Sequence, residues 1–374
     1  MEKFQNSTRV FSDGGKFLYR FVPTSYIKHL SKFVKHDVVD CERAGSDIRD
    51  GVERHLFKIN RLPFQIRIQE LPKSMALEMI AYLINLTIEC MADSIVPFDA
   101  TESNVLYWNK PVFVDLDAVR PLTKRTVTGT MAKIAYLYNK YVRRLNIRSQ
   151  AGTYNLAMIK KHGGPFSIQR DWTAPQSWRC LLDAVSQTKI FEPQTSWSNK
   201  YGPHHINHKV MRMKNAKIAG AIESMRKIKP MSILDIGCNK GYLCAMASEF
   251  VEHSVGFDTD EKCISIANEL YRSNQKVNFA RFGIEYLGDN WGFKQQRYGA
   301  DMVVALAVTH HFNKAGLSPE TICSTMAKLA KSWILIEDIA NIAAYHKALK
   351  RQGFKLMENI PSQPKPRTLS LFGR

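Results

Sequence analysis

Short apolar runs alternate with stretches of helical apolar spacing from residue 214 to the end of the chain. Short runs bounded by turn residues predict buried strands, and apolar residues that recur every three or four positions predict helices. We therefore expect strands at 232–236, 253–258, 276–281, 301–307, 333–338, 354–359 and 367–373. We expect helices at 214–227, 241–250, 260–272, 318–331 and 341–352. This alternation predicts an α/β fold with a doubly wound, mostly parallel sheet of seven strands.

The first part of the chain has a different pattern and predicts an α+β domain over residues 1–150. A hairpin followed by a helix from about Pro23 is expected within 10–35, and a helix over Met75–Met91. Two short strands at 104–108 and 111–115, joined by a tight turn, precede a helix at 128–145. Residues 151–195 are rich in Gly, Pro, Ser, Gln and Trp and predict an irregular linker. The α/β domain then covers 196–374.

Composition limits the classes of protein that this chain can belong to. The longest apolar stretch, Met75–Val96, is interrupted by Glu78, Glu89 and Asp93, which predicts a core helix and no membrane span. The N-terminal residues lack the apolar segment of a secretory signal. The seven cysteines form no Cys-x-x-Cys pair. An odd number of cysteines without such spacing favours a reducing, cytoplasmic compartment.

The chain carries 53 basic and 34 acidic side chains, a formal net charge of +19. Such a field attracts phosphates, nucleic acid, anionic glycans or an acidic lipid surface, although a solvated basic surface has the same composition. Three aromatic residues lie among the basic ones, namely Tyr136, Tyr138 and Tyr141. They favour nucleic acid over the other anionic partners.

The run Ile233–Leu243 lies where the first strand of the α/β domain is expected to turn into a helix. Gly237 and Gly241 permit a sharp turn and a close approach of the backbone to a ligand. The carboxylate of Asp235 can accept hydrogen bonds from an amino or cationic group. Asp258 ends the next strand, 21 residues after Gly237, where a carboxylate can bind both hydroxyls of a ribose.

This pattern suits either a dinucleotide or S-adenosylmethionine (SAM). A dinucleotide site requires Gly-x-Gly-x-x-Gly, and here Asn239 and Lys240 occupy positions that a pyrophosphate would crowd. The run resembles motif I of class I SAM-dependent methyltransferases, in the variant with Asn in place of the central Gly. The resemblance implies SAM as the cofactor. It implies six cofactor-binding residues, namely Asp235, Gly237, Cys238, Asn239, Gly241 and Asp258.

A second stretch, Asp301–Phe312, ends its expected strand with His310 and His311 at the sheet edge where ligands bind. In class I methyltransferases this position meets the transferred methyl group. The Asn/Asp-Pro-Pro-aromatic signature of amine methylases is absent. An imidazole accepts a proton from a hydroxyl near neutral pH, so we expect at least one histidine to be catalytic. A packing role is the alternative. Metal ligation with Glu337 is disfavoured, because no further ligand has suitable spacing.

Three runs resemble a branch of class I methyltransferases that includes the nodulation-associated enzymes: Asp235–Gly241, Ala305–His311 and Arg367–Arg374. The resemblance extends upstream to Arg61-Leu-Pro-Phe and to Pro111–Asp115. It implies SAM as the methyl donor and leaves the acceptor open. We expect methyl transfer to a hydroxyl oxygen, on a glycan or another polyhydroxyl compound, with nucleic acid as the alternative acceptor.

The segment Asp99–Asn104, followed by a hairpin and Asp115, is similar to a protein-kinase catalytic loop with its metal-binding Asp. Pro97-Phe98 replaces the catalytic-loop His-Arg, and Leu116-Asp117 replaces the usual Phe-Gly. No glycine-rich phosphate loop precedes the segment. Three alternatives stay open for this part of the chain. It is an active kinase that works together with the methyltransferase, a degenerate kinase-like lobe that binds the acceptor, or an unrelated domain in which Asp99 and Asn104 cap a turn.

Overall fold

The structure is a computed structural model. It describes residues 10–12, 17–49, 52–116, 118–145, 164–168, 170–200, 216–284, 297–338, 342–362 and 367–374. The chain divides into two compact units. The N-terminal unit comprises Met1–Gln69 and Lys73–Ile190, and the C-terminal unit comprises Glu70–Pro72 and Phe191–Arg374.

The N-terminal unit begins with a four-stranded antiparallel sheet in the order β1-β2-β4-β3. Its strands are β1 (Val10–Ser12), β2 (Phe17–Pro23), β3 (Cys41–Arg49) and β4 (Val52–Asn60). The helix Thr24–Phe33 follows β2 directly. The predicted hairpin and the helix start near Pro23 are confirmed.

Five short strands of the same unit form two further sheets, with the orders β5-β7-β8 and β6-β9. They are β5 (Ile66–Arg67), β6 (Ile95–Pro97), β7 (Val105–Trp108), β8 (Lys110–Phe113) and β9 (Val119–Pro121). Asn109 between β7 and β8 has φ +60°. Asn tolerates this conformation in tight hairpin turns, as the sequence predicts.

The helix Lys73–Ala92 runs through the core of the N-terminal unit and begins one residue after Pro72. Among the described residues it is the one helix long and apolar enough to cross a membrane, and more than half of that stretch is buried inside the fold. It packs against the helix Pro175–Ser186. The prediction of a core helix is confirmed by this packing.

The remaining helical segments of the N-terminal unit begin with Lys124–Leu137, which Thr123 and Thr126 cap reciprocally. A π-helical turn, Tyr138–Val142, continues this helix, and a 3₁₀ turn covers Pro165–Ser167. The prediction of irregular structure throughout 151–195 is wrong at the helix Pro175–Ser186. Trp178, Leu181 and Val185 recur along one face of this helix and are buried. Pro175 at its first position favours helix initiation.

The C-terminal unit contains a seven-stranded sheet in the order β12-β11-β10-β13-β14-β16-β15. Its strands are β10 (Ser232–Ile236), β11 (His253–Asp258), β12 (Val277–Arg281), β13 (Ala300–Ala305), β14 (Ala330–Asp338), β15 (Lys355–Ser362) and β16 (Arg367–Gly373). The first five are parallel, whereas β16 is antiparallel to β14 and β15. The predicted α/β fold with a mostly parallel sheet of seven strands is confirmed.

Helices cover both faces of this sheet. In the described part of the C-terminal unit they are Ser196–Lys200, Ala216–Ile228, Tyr242–Ala247, Glu261–Leu270, Thr309–Lys314, Pro319–Leu329 and Ile342–Arg351. One buried cluster joins Ile218, Ala221 and Ile222 to apolar side chains of β10, β13 and β14. Both neighbours of β10 are parallel to it, and the chain order reverses there. Ligands of open α/β sheets bind beyond the carboxyl ends of the strands at such a reversal.

A buried charged cluster contributes to the C-terminal unit. The carboxylate of Glu70 accepts hydrogen bonds from Arg297 and Tyr298. All three residues are at most 5% exposed. The Tyr298 ring contacts Phe257 and Phe282. The segment Glu70–Pro72 therefore supplies a buried counter-charge to a unit that is otherwise formed by residues 191–374.

Candidate functional site

The loop after β10 turns sharply at three residues with left-handed backbone angles: Gly237 (φ +81°), Asn239 (φ +51°) and Gly241 (φ +75°). The amides of Gly237 and Cys238 donate to the carbonyl oxygen of Phe257 at 2.7 and 3.0 Å. These bonds hold the loop against β11, and the helix Tyr242–Ala247 follows at once. The sharp strand-to-helix turn that the glycines predict is confirmed.

The space beside the two glycines is filled by the protein itself. A Cβ on Gly237 would lie 2.8 Å from Val308 Cγ2, and one on Gly241 would lie 2.1 Å from the Phe279 ring. We predicted that these glycines leave room for a ligand. Side chains of the C-terminal unit fill the positions that a Cβ would take, and the approach of a ligand to the backbone of these glycines stays a prediction. Internal packing and positive φ angles therefore explain both glycines.

Asp258 links the end of β11 to this loop. Its two carboxylate oxygens accept the amides of Asn239 at 2.8 Å and Asp260 at 2.9 Å. Burial raises the pKa of Asp258, although these backbone hydrogen bonds act in the opposite direction. A carboxylate oxygen has more than one lone pair. Asp258 can therefore accept ribose hydroxyls while it holds the loop.

Asp235 lies on β10 and is only 4% exposed. Burial raises its pKa to about 7, and the nearby charge of Asp258 acts in the same direction, while Lys217 opposes the rise. Asp235 pairs with Gly256 on β11, so the strand register places Asp235 and Asp258 on one face near the carboxyl edge of the sheet. A cationic ligand would favour the ionised form of Asp235.

Cys238 and Asn239, the other residues predicted to contact the cofactor, lie in the same loop. Cys238 is 4% exposed, and burial raises the pKa of its thiol, so the thiol stays neutral. The Asn239 side-chain nitrogen donates to Cys263 Sγ at 3.4 Å. Its side-chain oxygen is buried and has no hydrogen-bond partner among the described residues. That oxygen is a ready acceptor for a ligand hydroxyl or amino group.

The histidine pair lies in a different element from the one predicted. β13 ends at Ala305, and His310 and His311 lie on the short helix Thr309–Lys314. Ala307, in the segment between β13 and this helix, has φ +55°, an unfavourable angle for a residue with a Cβ. This bend ends the strand early, so the prediction of a strand through residue 307 is wrong. The pair nevertheless follows the carboxyl end of β13.

The two imidazoles have different surroundings. Their ring centroids are 4.0 Å apart, and His311 also meets the Trp197 ring edge-on at 5.2 Å. His310 Nδ1 is buried and has no hydrogen-bond partner in the described part of the chain. Burial lowers the pKa of His310, and the positive charges of His311 and Lys314 lower it further. His310 is therefore neutral near pH 7, with a ring nitrogen available.

Sequence reasoning missed a cluster of charged side chains beside this site. Glu337, at the end of β14, has a side chain only 2% exposed, and its two carboxylate oxygens lie 3.2 Å from Arg367 Nη1 and from Lys217 Nζ. We considered Glu337 only as a metal ligand with the histidines. No group of three His, Cys, Asp or Glu side chains in the described residues could hold a metal ion. The sheet register creates the cluster, and register is not visible in the sequence.

Two features of the N-terminal unit concern the predictions of a kinase-like segment and of a nucleic-acid partner. The Asn104 side-chain nitrogen donates to Asp99 O and Oδ2, both at 2.9 Å, and Lys133 Nζ donates to Asp99 Oδ1 at 2.7 Å. Tyr136, Tyr138 and Tyr141, which favoured nucleic acid, are at most 8% exposed. Their rings are not available to stack on bases, so the aromatic argument for nucleic acid is withdrawn.

The donor set at the carboxyl edge fits SAM. Two carboxylates on neighbouring strands suit a cation and a ribose, and the buried Asn239 oxygen adds an acceptor. Residues 205–369 match a family model described as a methyltransferase domain. This part of the chain is a SAM-dependent methyltransferase domain. The match begins before β10 and ends within β16, and it therefore includes the whole candidate site.

Solved structures with a similar arrangement include magnesium protoporphyrin IX methyltransferase from Synechocystis PCC 6803, solved with bound SAM. It is 17% identical, with 48% of this chain and 89% of that chain covered and a TM-score of 0.36. The N-methyltransferase NodS from Bradyrhizobium japonicum WM9 is 11% identical, with 42% and 95% covered and a TM-score of 0.33. A TehB-like SAM-dependent methyltransferase from Corynebacterium glutamicum is 16% identical, with 46% and 98% covered and a TM-score of 0.33. No curated protein sequence matches the chain.

Proposed function

We propose that this methyltransferase domain transfers the methyl group of SAM to a hydroxyl oxygen and that His310 removes the hydroxyl proton. The buried, unpartnered Nδ1 of His310 at the carboxyl edge of the sheet supports this role best. A general base must carry a free lone pair at the working pH. The lowered pKa of His310 keeps its imidazole neutral and able to accept a proton.

The roles of the protein groups follow from their places at this edge. SAM, when bound, supplies a methyl group on a positively charged sulfur. Asp235 and Asp258 hold its amino and ribose groups, and the acceptor hydroxyl lies against His310. As the hydroxyl oxygen forms its bond to the methyl carbon, the carbon–sulfur electron pair leaves with sulfur and the proton passes to His310. Alignment of the three reacting atoms accounts for most of the acceleration.

The acceptor class follows from the charges around His310. Lys314 and Arg367 lie close enough to lower its pKa. Two cations beside the base favour an acceptor with anionic or many hydroxyl groups, and we propose a glycan or another polyhydroxyl compound. The net charge of +19 supports the same preference. Nucleic acid is also an anionic polyhydroxyl compound, but the buried tyrosines remove the specific observation that favoured it.

Isotope-labelled SAM and fractions of a cell extract test this proposal. The fraction that retains label with the wild-type chain identifies the acceptor. His310→Gln should lower turnover by about 100-fold, which is typical for loss of a general base, with little change in SAM affinity. His311→Gln is the matched variant and should have a smaller effect. Label on a nitrogen or carbon atom, or a normal rate in His310→Gln, would contradict the proposal.

A second candidate function concerns the N-terminal unit. We propose that this unit is a degenerate kinase-like lobe that binds the acceptor, and that Asp99 accepts a hydrogen bond from it. The bonds from Asn104 and Lys133 to Asp99 support the proposal, because they hold its carboxylate in one orientation. A hairpin then leads to Asp115, as in a catalytic loop. In a phosphotransfer assay with ATP, Asp115→Ala should lower any activity of the wild type, and an unchanged signal would end the kinase alternative. Asp99→Asn should weaken acceptor binding.

We also propose a cytoplasmic location. All seven cysteines lie in the described residues, and none is paired. Unpaired thiols are typical of reducing compartments. Alkylation of the protein in rapidly quenched cells should modify all seven cysteines after denaturation without a reductant. Protection of two or more cysteines until reductant is added would contradict this location.

A further inference from the structure

Two partly exposed cations of the C-terminal unit meet one buried carboxylate, that of Glu337. Lys217 Nζ and Arg367 Nη1 each lie 3.2 Å from an oxygen of Glu337, whose side chain is 2% exposed. Two positive charges and one negative charge give the cluster a net charge of +1. Lys217 itself is 19% exposed at its side chain, so part of its ammonium faces away from Glu337. The single carboxylate of Glu337 therefore does not neutralise both cations.

The sheet register places this cluster beside Asp235. Asp235 on β10 pairs with Val304 on β13, and Val304 pairs with Leu335 on β14. Residues at i and i+2 of a strand point to one face, so Glu337 shares the face of Leu335 and Asp235. The helix Ala216–Ile228 covers this face.

Lys217 lies between the two acids. Asp235 and Glu337 are on strands separated only by β13, a spacing of about 10 Å between the strands. Lys217 is in the first turn of the described helix Ala216–Ile228 and contacts Glu337. Its charge also stabilises the ionised form of Asp235. Asp235 and Lys217 therefore lie in one region, on the face of the sheet that the helix Ala216–Ile228 covers, near the carboxyl end of β10.

This pair matches the amino-acid end of the methyl donor, which carries an ammonium and a carboxylate on the same carbon atom. We propose that Lys217 binds the carboxylate of SAM while Asp235 accepts its ammonium, and that Glu337 positions the Lys217 side chain. Charge-assisted hydrogen bonds of this kind are shorter and stronger than neutral ones. The inference rests on the methyl donor and not on the acceptor oxygen or the histidines, so its failure would leave the proposed function standing.

Decarboxylated SAM is the probe that separates this proposal from a merely structural role, because it lacks only the carboxylate. Calorimetric titration of the full chain with SAM and with decarboxylated SAM gives the preference for the carboxylate. We expect the wild type to prefer SAM by about 10- to 100-fold, the range for a hydrogen bond to a charged group. Lys217→Met should remove this preference by weakening SAM more than decarboxylated SAM. Both ligands should also weaken by one shared factor, because the loss of the lysine raises the pKa of Asp235 further.

Lys227→Met is the matched control. Lys227 lies on the same helix, 68% exposed at its side chain, in a surface ion pair with Glu358. The Lys227→Met variant should leave the affinities for SAM and for decarboxylated SAM unchanged. Glu337→Gln should reduce the preference for SAM in part, because Lys217 loses its buried anchor but keeps its charge. Thermal unfolding of each variant shows that it is folded.

Three outcomes would overturn the proposal. Equal weakening of both ligands in Lys217→Met, with the preference for SAM retained, would show that the lysine does not bind the carboxylate. A wild type that does not distinguish the two ligands would show that no cation meets the carboxylate. Loss of the preference in Arg367→Met, with Lys217→Met unaffected, would assign the carboxylate to the other cation of the cluster. Failure of the wild type to bind either ligand would refute the methyl donor itself, which is a different result.

Discussion

The raised pKa of Asp235 predicts that SAM binding weakens as the pH falls below 7. Burial raises the pKa of this carboxyl group from 3.8 to about 7 in the protein without ligand. A bound cation favours the ionised carboxylate, so SAM binding at low pH must release the proton of Asp235. If the pKa falls well below 5 in the complex, the dissociation constant rises by a factor of 1 + 10^(7 − pH). The affinity at pH 6 should then be about 11-fold weaker, and at pH 5 about 100-fold weaker, than its limiting value.

Calorimetric titration between pH 5 and pH 7 measures this dependence. Repetition in two buffers of different ionisation enthalpy counts the protons that binding releases, and we expect close to one proton at pH 5.5. In Asp235→Asn the dependence should disappear and the affinity at pH 7 should fall. His310→Gln is the control for the other titrating group and should retain the dependence. A flat affinity from pH 5 to pH 7 in the wild type, or the same slope in Asp235→Asn, would refute this reasoning.

The same group affects the stability of the protein without ligand, with a defined sign. The folded protein binds the Asp235 proton more tightly than the unfolded chain does, because the folded pKa is higher. Its contribution to stability is therefore fully present below about pH 4 and is lost as the pH rises to about 7, by roughly 4 kcal/mol at most. Urea unfolding of the wild type and Asp235→Asn over this range should give free-energy curves that diverge with rising pH, the wild type being the less stable at pH 7.

Two further predictions concern the packing of the C-terminal unit. Gly241→Ala should lower the free energy of unfolding by roughly 2–5 kcal/mol, because a Cβ there meets the Phe279 ring at a positive φ, whereas Gly353→Ala, with φ +86° and open space, should cost only about 1–2 kcal/mol. Equal costs for the two variants in urea unfolding would show that packing at Gly241 is not the cause. Glu70→Gln should cost about 3–5 kcal/mol, because it removes the carboxylate that forms a buried ion pair with Arg297. Tyr298→Phe should cost only about 1 kcal/mol, and a Glu70→Gln cost below that value would contradict the importance of the buried pair.

Local sequence patterns predicted much of the C-terminal unit. β10, β11 and the helix Pro319–Leu329 are close to their predicted bounds, because apolar period and turn residues specify them locally. The turn at Gly237 and Gly241 was predicted for the same reason. The side chains that pack beside the glycines were not predicted, since Val308 and Phe279 come from distant parts of the chain.

The remainder depends on contacts that a single sequence does not reveal. The strand before the histidines ends early because Ala307 takes a positive φ, which its residue type does not suggest. The helix Pro175–Ser186 lies in a stretch whose composition favours loops, and its burial against Lys73–Ala92 stabilises it. The cluster of Lys217, Glu337 and Arg367 requires the register of β14 with β16. The Asp235–Asp258 pair was predictable because both acids end neighbouring parallel strands.

SAM binding by the wild type and Asp258→Asn tests the account most directly. Asp258→Asn keeps the size of the side chain but removes its charge, and its NH2 group can no longer accept one of the two amides that Asp258 holds, those of Asn239 and Asp260. The variant should therefore melt at a lower temperature than the wild type. With labelled SAM in equilibrium dialysis, at a temperature where both proteins are folded, the wild type should bind one equivalent and the variant should bind at least about tenfold more weakly. No binding by the wild type at millimolar SAM, or equal binding by the two proteins, would contradict the assignment of this pocket to the methyl donor.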